Sequence, residues 1–109
     1  MMRITDEDIE RALDFLRDTA TEAAQARADR IYLEEYRKSL KAQIMKENAG
    51  LPIGAQEREA YLDERYKEHL RAYRESVFID EKHRFLHSAA LAKIEAWRSQ
   101  SANERAARI

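Results

Sequence analysis

The amino-acid sequence predicts an all-α protein, in which two long amphipathic helices, joined by a short helix, fold back on each other as a helical hairpin. Glycine and proline interrupt helices, and they occur only at Gly50, Pro52 and Gly54. On both sides of this segment, apolar side chains recur every three or four residues, which is the spacing of one helix face. A β-fold would need turn-forming residues at short regular intervals, and this chain does not supply them.

The first long helix is predicted to run from about residue 6 to residue 48. Thr5 precedes Asp6, Glu7 and Asp8. This order is typical of a helix start, because the hydroxyl can cap a free backbone N–H and the acids face the positive end of the helix dipole. The apolar stripe that follows consists of Ile9, Leu13, Leu16, Ala20, Ala24, Ala28, Tyr32, Tyr36, Leu40 and Ile44.

An interruption is predicted over residues 48–55. Gly50 and Gly54 can take the left-handed conformation that ends a helix, and Pro52 cannot continue one. A short connecting helix is predicted over about residues 56–62.

The second long helix is predicted over about residues 64–106, with Asp63 as its cap. Its apolar positions are Tyr66, Leu70, Tyr73, Val77, Ile79, Leu86, Ala90, Ile94 and Trp97. Phe78 and Phe85 broaden this stripe, which indicates contact with more than one neighbour. We interpret residues 1–109 as a single helical domain.

The composition and the lack of long apolar segments indicate the cellular location of the protein. The formal net charge is −1, and there is no cysteine for disulfides or thiol chemistry. No segment approaches the roughly 18 apolar residues of a membrane span. The first ten residues, MMRITDEDIE, are acidic and lack the apolar region of a signal peptide. We therefore expect a soluble intracellular protein that does not bind a membrane.

The apolar stripes predict self-association. A single hairpin cannot cover two long stripes and the additional aromatic residues, so we expect a homo-oligomer. The residues predicted to form its interface are Tyr73, Phe78, Phe85, Leu86, Ile94 and Trp97.

No constellation of residues points to catalysis. Neighbouring acids such as Glu34 and Glu35 diverge on a helix, and there is no glycine-rich phosphate loop. His83 and His87 share a helix face with Asp80, a spacing that can bind zinc. No motif-grade third ligand accompanies them, so a hydrated or interface pair is the favoured interpretation. We expect no enzymatic activity, no catalytic residue, no metal site and no cofactor.

The most informative functional feature is a basic segment in the first long helix. Residues 37–46 hold four bases, Arg37, Lys38, Lys41 and Lys46, and no acid. Such a cluster can bind phosphates by releasing counterions, and a neighbouring aromatic ring such as Tyr36 can stack on an unpaired base. Two interpretations remain open: a DNA contact or an ordinary solvated face. For Tyr36, packing in the core is favoured over stacking.

A second basic segment, residues 82–109, holds six bases and two acids, whereas residues 6–35 hold ten acids and four bases. In a hairpin these segments would lie side by side, and their opposite charges would set an antiparallel register within or between chains. Nucleic-acid contact is the alternative. Trp97, next to Arg98, is interpreted as an interface anchor.

The order of these parts resembles the small helical proteins of tailed phages and prophages, and among them the UvsY type of recombination mediator. The shared layout is a tyrosine-containing helix with a lysine-rich end (Tyr32, Tyr36, Lys38, Lys41), a break, and a second helix that begins at Tyr66. That helix ends with Lys93, Ile94 and Arg98. The likeness covers roughly residues 25 to 105.

The resemblance implies a non-enzymatic accessory factor in the cytoplasm of a bacterial host. Such a factor forms a ring, binds single-stranded DNA, helps displace the single-strand-binding protein and loads a RecA-type recombinase. The implied DNA contacts are Arg37, Lys38, Lys41 and Lys46. The alternatives are a phage structural or scaffold protein, and a small helical adaptor that binds a host protein.

Overall fold

The computed structural model describes residues 3–108 and contains four helices. They are α1 (Asp6–Asp18), α2 (Ala20–Glu47), α3 (Ile53–Leu62) and α4 (Glu64–Ala107). No strand occurs among the described residues, so the predicted all-α class is confirmed. None of these helices is long and apolar enough to cross a membrane. Met1, Met2 and Ile109, which belong to the predicted domain, lie outside the described residues.

Helix α1 begins at the predicted cap. The Thr5 hydroxyl accepts a hydrogen bond from the Asp8 backbone N–H at 3.1 Å, and the Asp8 carboxylate accepts one from the Thr5 N–H at 2.8 Å. This reciprocal arrangement is a capping box. The Thr5 backbone N–H first, and then the Thr5 hydroxyl, hold the pKa of Asp8 below its ordinary value, because they hydrogen-bond to its carboxylate and favour its charged form.

A residue inside the first predicted helix divides it into two. Thr19 separates α1 from α2 with a non-helical backbone conformation (φ −100°, ψ 0°). Its hydroxyl donates to the Phe15 carbonyl at 2.6 Å and also lies 2.9 Å from His87 Nε2. Threonine hydroxyls that bond back to a helix carbonyl are known to bend helices. The sequence pattern contains no glycine or proline here and therefore gave no indication of this break.

The connection between α2 and α3 uses asparagine and proline rather than left-handed glycine. The Asn48 side chain donates to the Ile44 carbonyl at 2.9 Å, which satisfies one free acceptor at the end of α2. Pro52 immediately precedes α3, which begins at Ile53, three residues before the predicted start. No described glycine has a positive φ, so the expected left-handed cap at Gly50 or Gly54 is wrong.

Helix α4 begins directly after Asp63. The Asp63 carboxylate accepts from the Arg65 backbone N–H at 2.8 Å, as a capping residue does. The helix then continues without interruption to Ala107. This start lies where the sequence places it.

Contacts within the chain define two compact units. Among the described residues, the first contains residues 3–24 and 81–108, and the second is Gln25–Asp80. The core of the second unit is small and consists of Leu40, Ile44, Ala60 and Tyr66, with Met45 packed against it.

In the first unit, α1 and the later part of α4 meet in opposite chain directions. The Ile4 backbone N–H donates to the Gln100 side chain at 3.1 Å, and the Gln100 amide donates back to the Ile4 carbonyl at 2.8 Å. Further along, the Phe15 ring contacts the His87 ring edge-on, with centroids 5.6 Å apart. Residues near the start of α1 therefore contact the last part of α4, and residues near its end contact earlier positions of α4, so the two helices are antiparallel.

The buried face of α2 differs from the predicted stripe. Ala20, Ala24, Ala28, Tyr32 and Tyr36 are exposed. Most of the buried or half-buried residues instead alternate in steps of three and four: Ala23, Ala26, Arg30, Leu33, Arg37, Leu40 and Ile44. A helix has about 3.6 residues per turn, so a series in uninterrupted steps of four drifts by about 40° per step and leaves the core. Alternating steps keep one face inward.

Within the second unit, the inward positions of α4 are largely polar. His69, Ser76 and Asp80 are buried. The His69 Nε2–H donates to the Leu33 carbonyl at 2.7 Å, and Arg30 donates to Asp80 at 3.1 Å. In the single chain, Leu70 and Ile79 of the predicted apolar stripe are exposed, and so is Leu86 further along the helix.

Candidate nucleic-acid interface

The four cations predicted to contact DNA all lie on α2 within the second unit, but they do not share one free surface. Arg37 is half-buried, Lys38 and Lys46 are exposed, and Lys41 is partly covered by α3. Their local surroundings decide which of them is available to a phosphate.

Lys41 is engaged within the chain. Its ammonium donates to the Tyr61 hydroxyl at 2.8 Å and to the Glu57 carboxylate at 2.9 Å. The same nitrogen lies 4.8 Å from the centroid of the Tyr61 ring. The bond to Tyr61 first, and then the bond to Glu57, raise the pKa of Lys41 well above its ordinary value. This side chain therefore ties α3 to α2.

Lys38 forms only a surface pair. Its ammonium lies 3.2 Å from the Glu35 carboxylate, and both side chains are mostly in solvent. Exposed pairs of this kind contribute about 0–1 kcal/mol, so a phosphate can compete for the lysine. Lys46 is exposed and forms no ion pair with any of residues 3–108.

Two exposed tyrosines lie on α2 beside these cations. Tyr32 and Tyr36 are 65% and 40% exposed, and their rings stack with centroids 5.9 Å apart and planes at 16°. On its other side, Tyr36 lies 5.6 Å from the His69 ring. Our sequence interpretation of Tyr36 as a core residue is therefore wrong, because the stripe in steps of four had already drifted off the inward face.

Several exposed polar residues share the helix face of the tyrosines. Tyr32, Tyr36, Ser39, Gln43 and Lys46 follow one another in alternating steps of four and three residues, and all are exposed. This spacing keeps side chains on one side of a helix. We call these five residues the tyrosine face. It contains one of the four predicted cations, Lys46.

A shallow groove adjoins the tyrosine face between α2 and α4. Its volume is about 370 Å³, and Tyr36, Gln43, His69 and Ala72 are among the residues that line it. Leu40, Arg65 and Glu68 complete its lining. The groove lies entirely within the second unit.

Two acids at the end of α2 and the start of α4 pair with one arginine. The Arg65 guanidinium donates to Glu47 at 3.0 Å and to Asp63 at 3.0 Å. These bonds hold the pKa values of Glu47 and Asp63 below their ordinary values. Glu47, the neighbour of Lys46, therefore stays ionised and paired with Arg65.

The histidine pair packs in the first unit. The Thr19 hydroxyl uses its only hydrogen on the Phe15 carbonyl, so His87 Nε2 donates to the Thr19 oxygen. His83 Nδ1 is buried without a hydrogen-bond partner. Among residues 3–108, no three His, Cys, Asp or Glu side chains are grouped to hold a metal. The geometry favours packing.

The residues predicted to form an oligomer interface differ widely in exposure. Phe78 and Phe85 are 63% and 72% exposed, and Leu86 is also exposed. The others, Tyr73, Ile94 and Trp97, are half-buried. The Trp97 indole N–H donates to Asp6 at 3.3 Å, so this ring already contacts α1 in its own chain.

The C-terminal basic segment forms local ion pairs. Arg84 pairs with Glu81 at 2.9 Å and Arg98 pairs with Glu95 at 3.3 Å, each one turn away on α4 itself. One ion pair joins the segment before α1 to α4, between Arg3 and Glu104. Its base lies near α1 and its acid lies on α4, which is the reverse of the predicted distribution of charge. These pairs do not set the register predicted from the acidic residues 6–35.

We predict that the ion pairs of Arg65 cause the unfolding free energy to decrease at acid pH. Glu47 and Asp63 have lowered pKa values, so their pairing stabilises the fold fully above their ordinary values of 4.5 and 3.8. This stability is lost as the pH falls through the lower folded-state values. Arg65→Met should therefore flatten the decrease in unfolding free energy between about pH 5 and pH 2, measured by urea denaturation.

Arg71→Met is the matched control, because the Arg71 nitrogen lies 4.0 Å from Glu64, at the limit of an ion pair. It should keep the parent's pH dependence. An Arg65→Met variant whose unfolding free energy decreases in acid as much as that of the parent would contradict this assignment.

Comparisons with protein-family models, with curated proteins and with solved structures find no match to this chain. The resemblance to the UvsY type of recombination mediator therefore stays a prediction, and it enters the functional interpretation only as a proposal.

Proposed function

We propose that this chain is a non-enzymatic accessory protein that assembles into a homo-oligomer and binds single-stranded DNA. By its resemblance to the UvsY type, it would act as a phage recombination mediator in the cytoplasm of a bacterial host. It would help to displace the single-strand-binding protein and to load a RecA-type recombinase. The hairpin of two long arms joined by α3 is part of this proposal.

The observation that carries the proposal is the imbalance between buried and exposed apolar side chains. Ile44 is the large side chain that is fully buried, at 1% exposure, whereas Phe78 and Phe85 are mostly in solvent. Further exposed apolar residues are Leu13, Ile31, Leu51, Ile53, Leu62, Leu70, Ile79, Leu86 and Leu91. So much exposed apolar area in a small protein is typical of a surface that binds other molecules. This supports assembly over a monomeric enzyme.

The DNA-binding part of the proposal rests on the exposed cations of α2. Lys38 has only a weak surface pair and Lys46 has none with the described residues. In an oligomer every subunit repeats these cations, so modest contacts add up through avidity. Binding to phosphates would be independent of base sequence, which suits a protein that coats single strands.

The second candidate is a structural or scaffold protein, in which the same helices serve only assembly. The pairing of Lys41 with Glu57 and Tyr61 favours it, because this lysine then stabilises the fold instead of binding phosphate. A small adaptor that binds a host protein would also use an exposed apolar face. Binding of single-stranded DNA distinguishes the mediator from both.

The assembly prediction concerns the mass in solution. Light scattering at micromolar concentrations should give a mass well above the 12.8 kDa of one chain. Phe85→Ser should lower this mass, because an exposed phenylalanine would lose its apolar contact with the neighbouring subunit. Ser88→Ala changes an exposed residue of the same helix outside the predicted interface, and it is the control. A parent that has the monomer mass throughout would disprove assembly.

The DNA prediction uses the double variant Lys38→Ala and Lys46→Ala. It spares Lys41, whose removal would release α3. Binding to single-stranded DNA should weaken equally for all sequences, because phosphates carry no base identity. The slope of log affinity against log salt should fall by roughly 0.7 for each phosphate that the variant no longer binds. The measurement is fluorescence anisotropy at two salt concentrations.

Lys67→Ala is the matched control, because Lys67 lies on α4 and pairs at 3.7 Å with its neighbour Glu64. It should leave both affinity and slope unchanged. If the parent does not bind single-stranded DNA at either salt concentration, the scaffold function is favoured over the mediator.

A further inference from the structure

We infer that the tyrosine face of α2 is the surface on which single-stranded DNA stacks, with Tyr32 as the platform for a base and Lys46 as a phosphate contact. This inference rests on the proposed function and assigns its binding surface. It differs from the cluster predicted from the sequence, because it adds the two tyrosines and gives no part to Arg37 and Lys41. Lys38 lies outside this face and remains a candidate for a separate phosphate contact.

The ring geometry points to Tyr32. The Tyr32 and Tyr36 rings are nearly parallel with centroids 5.9 Å apart. A base inserted between them would need two carbon–carbon gaps of about 3.5 Å each, so it does not fit there. Tyr36 is also flanked by His69 at 5.6 Å, whereas Tyr32 is 65% exposed. The outer side of Tyr32 is therefore the open stacking surface, with Tyr36 behind it.

The rest of the face supplies polar groups for a nucleic-acid strand. Ser39 and Gln43 are exposed hydrogen-bonding side chains between the tyrosines and Lys46. Fourteen residues separate Tyr32 from Lys46, which is about 21 Å along a helix. A strand stacked at Tyr32 can therefore continue along the same side of α2 towards Lys46.

Two acids near this face have cationic partners, whereas its lysine has no acidic partner among the described residues. Glu35 is paired with Lys38, and Glu47 is paired with Arg65 at both carboxylate oxygens. Lys46 has no ion pair with the described residues. Its positive charge is therefore available to a phosphate.

Stacking and phosphate binding have different signatures, which makes the inference testable. Removing a stacked ring weakens binding without changing the number of released counterions, so the salt slope stays constant. Removing a lysine that binds a phosphate makes the slope less steep. The two parts of the tyrosine face can therefore be measured separately in the same titration.

The experiment is a fluorescence anisotropy titration of labelled oligothymidine with the full chain at two salt concentrations. Tyr32→Ala should reduce affinity by about fivefold or more with an unchanged slope. Tyr32→Phe keeps the ring and should bind like the parent. Lys46→Gln should reduce the slope by roughly 0.7.

If the parent binds oligothymidine and Tyr32→Ala binds equally well, the tyrosine face is not the DNA surface, although the proposed function stands. If Tyr32→Ala changes the mass of the assembly in light scattering instead, the tyrosines cover a second copy of the chain and the inference is overturned. If the parent itself does not bind, the proposed function fails first. Circular dichroism of each variant is the control for retention of the helices.

Discussion

In the second unit, the packing of α4 against α2 depends on buried polar side chains of α4. Asp80 is 4% exposed and receives a hydrogen bond from Arg30 at 3.1 Å. A buried carboxylate must be paired in this way, because an isolated charge is costly away from water. His69 is buried at another inward position and bonds to a carbonyl of α2. Such bonds hold the helices in register but bury little apolar area. Phe78 and Leu70 of the same helix lie at the surface.

The helical class followed from features that act locally. The lack of glycine and proline outside one segment, and capping residues such as Thr5 and Asp63, specify helices without any tertiary information. The position of the inward face was harder to predict, because alanines and tyrosines in steps of four look like a stripe. Such a series rotates around the helix, and only packing selects the face that is buried. The break at Thr19 depends equally on a tertiary partner, since its hydroxyl also contacts His87.

The candidate site likewise combines features that are local in the sequence with contacts that depend on tertiary packing. The basic composition of residues 37–46 is visible in the sequence, but the partners of these bases lie far along the chain. Glu57 and Tyr61, which engage Lys41, belong to α3, and no local pattern indicates this contact. The exposure of Tyr32 could have been inferred from an alternating three–four repeat through Leu33 and Leu40. With that repeat, Tyr32 falls outside the core and on the same side as Lys46.

The most direct test of this account is ultraviolet cross-linking of oligothymidine to the full chain, followed by tryptic mapping of the adduct. Trypsin cleaves after Arg30 and Arg37, so Tyr32 and Tyr36 are released together in the peptide of residues 31–37. The account predicts that this peptide carries the thymidine adduct and that Tyr32→Ala decreases its yield. An adduct confined to peptides from residues 82–108, or no adduct at any concentration, would contradict it.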